Sequence, residues 1–143
     1  MLTNLCPDIG GFNRGYERLR AQNFEGKAKG DLKEGYYFGE DLPLNHPYVL
    51  AKKMNLGPNK YPDDVNDPQL FRDTIDKYYD ALTDLAHNIL SVIATTLSLE
   101  ESFFNEFFKT PISTLRLLHY PPQEPDASAE ERGMSSKCKR KWR

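Results

Sequence analysis

Three histidines, two cysteines and one alternating run carry the residue types that could do chemistry in this chain of 143 residues. The histidines stand in the contexts His46-Pro47-Tyr48, His87-Asn88-Ile89 and His119-Tyr120-Pro121, and none is followed two positions later by Asp or Glu. A metal site built from these three would be unorthodox; His87, on a helical stretch, reads as a boundary or core residue, and His46 as a loop residue. Cys6 and Cys138 lie at opposite ends without metal-like spacing, which fits a reduced intracellular thiol pair. Residues 115–120 alternate as a strand does: Leu115, Leu117 and His119 fall on one face, Arg116, Leu118 and Tyr120 on the other. A guanidinium and a phenol, both hydrogen-bonding groups, therefore share a face.

The elements that must position these groups are legible to different degrees. Residues 1–42 show no sustained helical period, but Phe12-Asn13-Arg14-Gly15-Tyr16 and Glu34-Gly35-Tyr36-Tyr37-Phe38-Gly39 read as short extended pieces around glycine turns. Prolines keep residues 43–62 irregular, apart from one helical turn near 48–53. Asp67-Pro68 is an N-cap followed by Pro at the first helical position. Apolar residues then recur in steps of three and four through Phe71, Ile75, Tyr78, Leu82, Leu85, Ile89 and Val92, which predicts one long helix over 68–97. Its C-terminal half is apolar on more than one side and is expected to be buried on both flanks. Ser98-Leu99-Glu100-Glu101 has the capping-box pattern and predicts a short helix over 99–108, whose four phenylalanines (Phe103, Phe104, Phe107, Phe108) are read as core. A strand over 114–120 follows, then a polar loop over 121–133.

Composition bounds the function. Hydrophobic residues make up 38% of the chain and no apolar run reaches the length of a membrane span, so the expectation is a soluble, cytoplasmic protein of one domain. The N-terminus lacks the basic-then-apolar layout of a secretory signal. Five of the 19 basic residues crowd into 137–143; the remainder sets 14 basic against 21 acidic side chains, a net of -7. Such a body does not suit phosphate backbones, and nucleic acid is not expected as a partner. The tail, 135–143, reads either as a basic anion-binding or import patch or as sequence foreign to the domain, and is expected to be disordered.

The segment "LRLLHYPPQEPDASAEERGM" resembles isopenicillin N synthase-like, 2-oxoglutarate/Fe(II)-dependent oxygenases. "GYYFGEDLPLNHPYV", "GPNKYP" and "FRDTIDKYYDALTDLAHNILSVIATTLSLEESFFNEF" are similar to the stretch leading into the catalytic barrel and to the family's long supporting helix. The resemblance implies an α+β fold: the mainly helical N-terminal part of a double-stranded β-helix (jelly-roll) oxygenase, with a long central helix, few strands and an incomplete barrel, over residues 1–134. In the family a "GAHTD"-like sequence supplies two iron ligands after this point. That continuation is absent here, and no residue of this chain is assigned to a metal. A 2-His-1-carboxylate triad is what leaves open positions on Fe(II), so the expectation is a truncated oxidoreductase, catalytically inactive by itself, without bound Fe(II) or 2-oxoglutarate, the cofactors of full-length relatives. Those relatives oxidise small organic metabolites.

Three positions carry over as substrate or cosubstrate contacts. Tyr120 matches the tyrosine before the Pro turn, which in relatives hydrogen-bonds a carboxylate; Arg116 would add charge-assisted pairing; Tyr37 matches a pocket-lining position. The structural alternatives are a strand-end aromatic, a barrel-rim charge and a packing residue. Leu118 stands where 2-oxoglutarate binders often have Asn, which leaves the original cosubstrate open. A second class of reading is a non-catalytic module, in which exposed strand and helix faces dock on a full-length homologue or on a second copy.

Overall fold

The computed structural model describes residues 12–22, 30–109 and 111–122. Cys6, Cys138, the loop beyond Pro122 and the basic tail lie outside the described residues. The described chain runs β1 (Gly15–Glu17), β2 (Glu34–Phe38), α1 (Pro47–Leu50), α2 (Pro68–Thr96), a single 3-10 turn (Asn105–Phe108) and β3 (Leu115–His119).

The strands form one antiparallel sheet in the order β1-β2-β3. Its register places Tyr16 opposite Tyr36, Glu17 opposite Gly35, Tyr37 opposite Arg116 and Glu34 opposite His119. Because side chains alternate along each strand, one face carries Tyr16, Glu34, Tyr36, Phe38, Leu115, Leu117 and His119. The opposite face carries Glu17, Gly35, Tyr37, Arg116 and Leu118. Phe38 is fully buried on the first face, 5.4 Å from the Tyr61 ring and 6.4 Å from that of Phe71 on α2. Leu42, Val49 and Leu56 form a second small core under the loop between β2 and α2, with Phe12 packed against it.

The long helix starts where the Asp-Pro pair places it: the Asp67 carboxylate accepts from the Leu70 amide at 2.9 Å. It runs 29 residues, roughly 45 Å. Its first turns are tied to the loop before it, since Arg72 bonds Asp41 at 2.8 Å and stacks over Tyr61, and the Tyr61 hydroxyl donates to Asp76 at 2.5 Å.

The second half lacks the cover on both flanks that its apolar pattern calls for. Only Ile75 and Ala94 of α2 are buried, and Ile89, Val92 and Leu97 are half or more exposed. Among the described residues that flank is left open. The short helix over 99–108 is also corrected. Ser98 adopts φ 58° and closes α2, with its amide bonded to Thr95 O and that of Leu99 bonded to Ala94 O. This pair of bonds is a Schellman ending, so Ser98 terminates one helix rather than capping the next. Residues 99 and 100 are irregular, 101–104 form turns, and within 99–108 only Asn105–Phe108 is helical. The phenylalanines are not core: Phe103 and Phe107 are 44% and 69% exposed, with Phe103 packed against both Phe104 and Phe107.

Candidate functional site

The three histidines serve three separate structural ends. His46 caps α1, its Nδ1 accepting from the Tyr48 amide at 3.3 Å. His87 sits half-buried on α2, edge-on to Phe108. His119 pairs through Nδ1 with Glu34 at 2.8 Å, and Glu34 also accepts from the Tyr16 hydroxyl. That hydrogen bond from Tyr16, then the one from His119, holds the Glu34 carboxyl below its ordinary value. Among the described residues, no group of three His, Cys, Asp or Glu side chains could hold a metal ion. The described donor set therefore does not fit an iron centre.

The polar chemistry collects instead on the sheet face that carries Tyr37 and Arg116. These two are cross-strand partners, and the Arg116 guanidinium lies 4.7 Å above the Tyr37 ring. Gly35 lies close to β3: a Cβ there would sit 3.0 Å from the Leu117 carbonyl, and in ordinary contact, 3.7 Å, with Arg116 Nε. Arg116 Nη2 donates to Glu17 at 2.8 Å and to Gln22 Oε1 at 3.1 Å. The Tyr37 hydroxyl donates to the same Glu17 oxygen at 2.9 Å and accepts from Gln22 Nε2 at 3.1 Å. Lys33, also buried, donates to Gln22 Oε1. All five side chains belong to one network in which Glu17 is the shared acceptor for Arg116 and Tyr37.

Burial sets its electrostatics. Tyr37 and Glu17 are almost fully buried, and burial followed by the hydrogen bond to Glu17 pushes the Tyr37 phenol up to about 12. The phenol is therefore a neutral donor at ordinary pH, which is what a carboxylate partner requires. Arg116 remains partly open, with 28% of its side chain exposed. Tyr120, one residue past β3, is 40% exposed, and among the described residues no hydrogen bond or ring contact joins it to Tyr37 or Arg116.

So the structure brings Tyr37 and Arg116 together and leaves Tyr120 at the edge of the same face. Glu17, Gln22 and Lys33 were not singled out from the sequence. They lie in segments without regular periodicity, and only the antiparallel pairing of β1 and β3 on either side of β2 reveals that they share a site with residue 116. A separate cleft of about 550 Å³ opens on the other face, lined by Tyr16, Tyr36, Phe71 and Leu117, with Glu34 and His119 among its walls.

Comparison with known proteins gives the fold its class. No family model matches the chain. A crystal structure of a 2OG-Fe(II) oxygenase family protein from Caulobacter crescentus superposes with a TM-score of 0.65 at 32% identity, covering 82% of this chain and 36% of that one. A full-length Neurospora crassa protein, solved in complex with alpha-KG, superposes at 0.57 with 26% identity over 79% of this chain and 34% of its own. These folds place the sheet and long helix as part of a double-stranded β-helix oxygenase. Among curated sequences, the 2-oxoglutarate-Fe(II) type oxidoreductase hxnY of Emericella nidulans is 45% identical over 119 residues. A 2-oxoglutarate-Fe(II) type oxidoreductase of Aspergillus fumigatus is 43% identical over 124. The matched regions take in 83% and 87% of this chain but 34% and 36% of those proteins, so it spans about a third of the length of these relatives. The chain belongs to the 2-oxoglutarate/Fe(II)-dependent oxygenase family.

Proposed function

We propose that the face bearing Tyr37 and Arg116, with Tyr120 at its edge, is a substrate- or cosubstrate-contacting surface of an oxygenase-family protein whose full-length relatives oxidise small organic metabolites. The observation that carries this reading is the convergence of Tyr37 and Arg116 on Glu17. Buried hydrogen-bonded networks hold donors in fixed directions, and fixed direction is what ligand recognition needs. By itself the 143-residue chain does not turn over. This is supported by the lack of any His followed two positions later by an acid, and by the scattered places of His46, His87 and His119. Fe(II) and 2-oxoglutarate belong, on this reading, to the full-length relatives. The protein is placed in the cytoplasm on its cysteine usage; among the described residues no helix is long and apolar enough to cross a membrane.

Anaerobic titration with Fe(II) and 2-oxoglutarate, followed by oxygen exposure, tests the inactivity: stoichiometric iron binding with turnover removes it. Tyrosine and arginine side-chain NMR signals test the face: small organic acids titrated into the chain must perturb Arg116 and Tyr37, and the Tyr37 response must be lost in Arg116→Gln.

A second reading is favoured by the α2 surface, where Ile89, Val92, Ile93 and Leu97 are 50%, 62%, 41% and 60% exposed. Here the chain is a non-catalytic module that docks this stripe, and the outer edge of β3, on a full-length homologue of the same family. Co-purification with such a homologue supports it, and a strictly monomeric chain that captures none overturns it.

A further inference from the structure

We propose that the cleft on the other sheet face, opposite Tyr37 and Arg116, binds a small organic amine, with its ammonium on Glu34 and its apolar body against Tyr36, Phe71 and Leu117. The cleft holds about 550 Å³, within the range of small-molecule sites. Its walls are set by regular elements: Glu34 and Tyr36 stand on β2, Leu117 and His119 on β3, and Phe71 on the first turn of α2. The Tyr16 and Tyr36 rings lie 6.5 Å apart, and Tyr36 stacks at 4.8 Å on the fully buried Phe38, which backs that wall.

Charge identifies the ligand class. Among the described residues no lysine, arginine or aspartate lines the cleft, which leaves Glu34 as its anion and His119 as its one other ionisable group near neutral pH. The hydrogen bonds from Tyr16 and His119 hold the Glu34 carboxyl below its ordinary value, so it is ionised at neutral pH. A carboxylate has about four acceptor positions. Two partners leave the others open, and 22% of the Glu34 side chain is exposed. Arg18 acts on the Tyr16 phenol through space but does not line the cleft. A carboxylate ligand would therefore meet a like charge, and a neutral ligand would gain apolar burial alone. An ammonium gains that burial and a charge-assisted hydrogen bond, beside aromatic rings whose faces favour cations.

2-Phenylethylammonium, 2-phenylethanol and phenylacetate share a ring and differ in charge. Each is titrated into the full chain at about pH 8, above the ordinary histidine range, while the ring signals of Tyr16, Tyr36 and His119 are followed by NMR. The expected order places the ammonium about tenfold tighter than the alcohol, the scale of one charge-assisted hydrogen bond, with phenylacetate weakest. Glu34→Gln should remove the preference for the ammonium over the alcohol. Leu117→Trp, which fills the cleft, should weaken both by at least tenfold. An alcohol or phenylacetate that binds as tightly as the ammonium overturns the proposal, and that wild-type ranking decides even where neither variant folds. An unchanged preference in a folded Glu34→Gln overturns it, as does unchanged ammonium binding in a folded Leu117→Trp, which would place the amine elsewhere on the acidic surface. Ring signals that no probe moves overturn it too. None of these outcomes bears on the ligand-contacting role given to Tyr37 and Arg116, which lie on the opposite face.

Discussion

The Arg14 guanidinium lies so close over Gly39 that a Cβ on residue 39 would sit 2.0 Å from Nη2 and 2.4 Å from Cζ. Arg14 cannot swing aside. It is 1% exposed, and its guanidinium is held by the carbonyls of Phe12, Asn13 and Asn55 at 3.1, 3.3 and 2.9 Å. The contact welds the chain before β1 to the end of β2 and to the loop around Asn55. Gly39→Ala should therefore destabilise the domain by about 1–3 kcal/mol, the usual cost of overpacking. Urea denaturation followed by far-UV circular dichroism measures it. Equal midpoints for the two proteins would show that Arg14 relaxes freely.

Asn59 does for the other side of Gly39 what Arg14 does for its Cα. Its Oδ1 accepts from the Gly39 amide at 2.9 Å and its Nδ2 donates to the Gly39 carbonyl at 2.7 Å. The side chain thus continues the β2 ladder for one residue beyond its end, within the "GPNKYP" segment. Asn59→Ala leaves both Gly39 backbone groups without these partners and should cost about 1–3 kcal/mol. Asn59→Asp should cost more, because it replaces the donor with a second acceptor facing a carbonyl. Thermal melts of the two variants give the order, and a less damaging Asp would contradict the assignment of Nδ2.

How much of this was legible in the sequence depends on the range of the interactions. The Asp67 cap and the apolar steps of α2 are local, and the helix runs Pro68–Thr96 where the pattern predicts 68–97. The Ser98 reading failed because a capping box and a Schellman ending draw on the same few residues; the backbone of Leu97 and Ser98 chose the latter. The phenylalanine cluster failed because composition does not reveal whether another element covers it. Tyr37 and Arg116 were singled out through family resemblance, and strand register makes them neighbours. Glu17 was not, since its partner lies 99 residues away and strand register alone joins them.

The exposed flank of α2 yields a prediction specific to the docking reading. Ile89→Glu combined with Val92→Glu places two charges on side chains that are 50% and 62% exposed. Folding stability should change by less than about 0.5 kcal/mol, as for ordinary surface sites. Association with a full-length homologue, or between copies, should fall at least tenfold, read by sedimentation velocity across a dilution series. A large loss of stability instead would mean that this flank is covered by part of the chain itself.

Acid should weaken the β2–β3 pairing through Glu34. Its carboxyl is held low by the hydrogen bonds from Tyr16 and His119, so the folded state favours the ionised form. A depressed carboxyl contributes stability that is present above its unfolded value and lost as pH falls through the folded one. Stability should decline below about pH 4.5 more steeply in the wild type than in Glu34→Gln. Urea midpoints at a series of acidic pH values check this, and parallel curves would place the acid sensitivity elsewhere.

Alkali should act through Tyr37. Burial first, and the hydrogen bond to Glu17 second, raise the folded phenol to about 12, from an ordinary value of 10.0. Between those values the unfolded chain has released its phenolic proton and the folded chain has not, so the folded state binds more protons. The stability slope with pH is then negative. The contribution is fully present below about pH 10 and is lost as pH climbs toward 12. Tyr16, also raised to about 12 by burial and Glu34, adds to the same decline. Tyr37→Phe should remove part of the slope, and Glu17→Gln should move the Tyr37 transition downward, because it deletes the neighbouring negative charge but not the burial. Absorbance at the phenolate band during titration reads the transition directly. An unmoved Tyr37 transition in Glu17→Gln would show that burial alone sets the phenol and that Glu17 does not hold it.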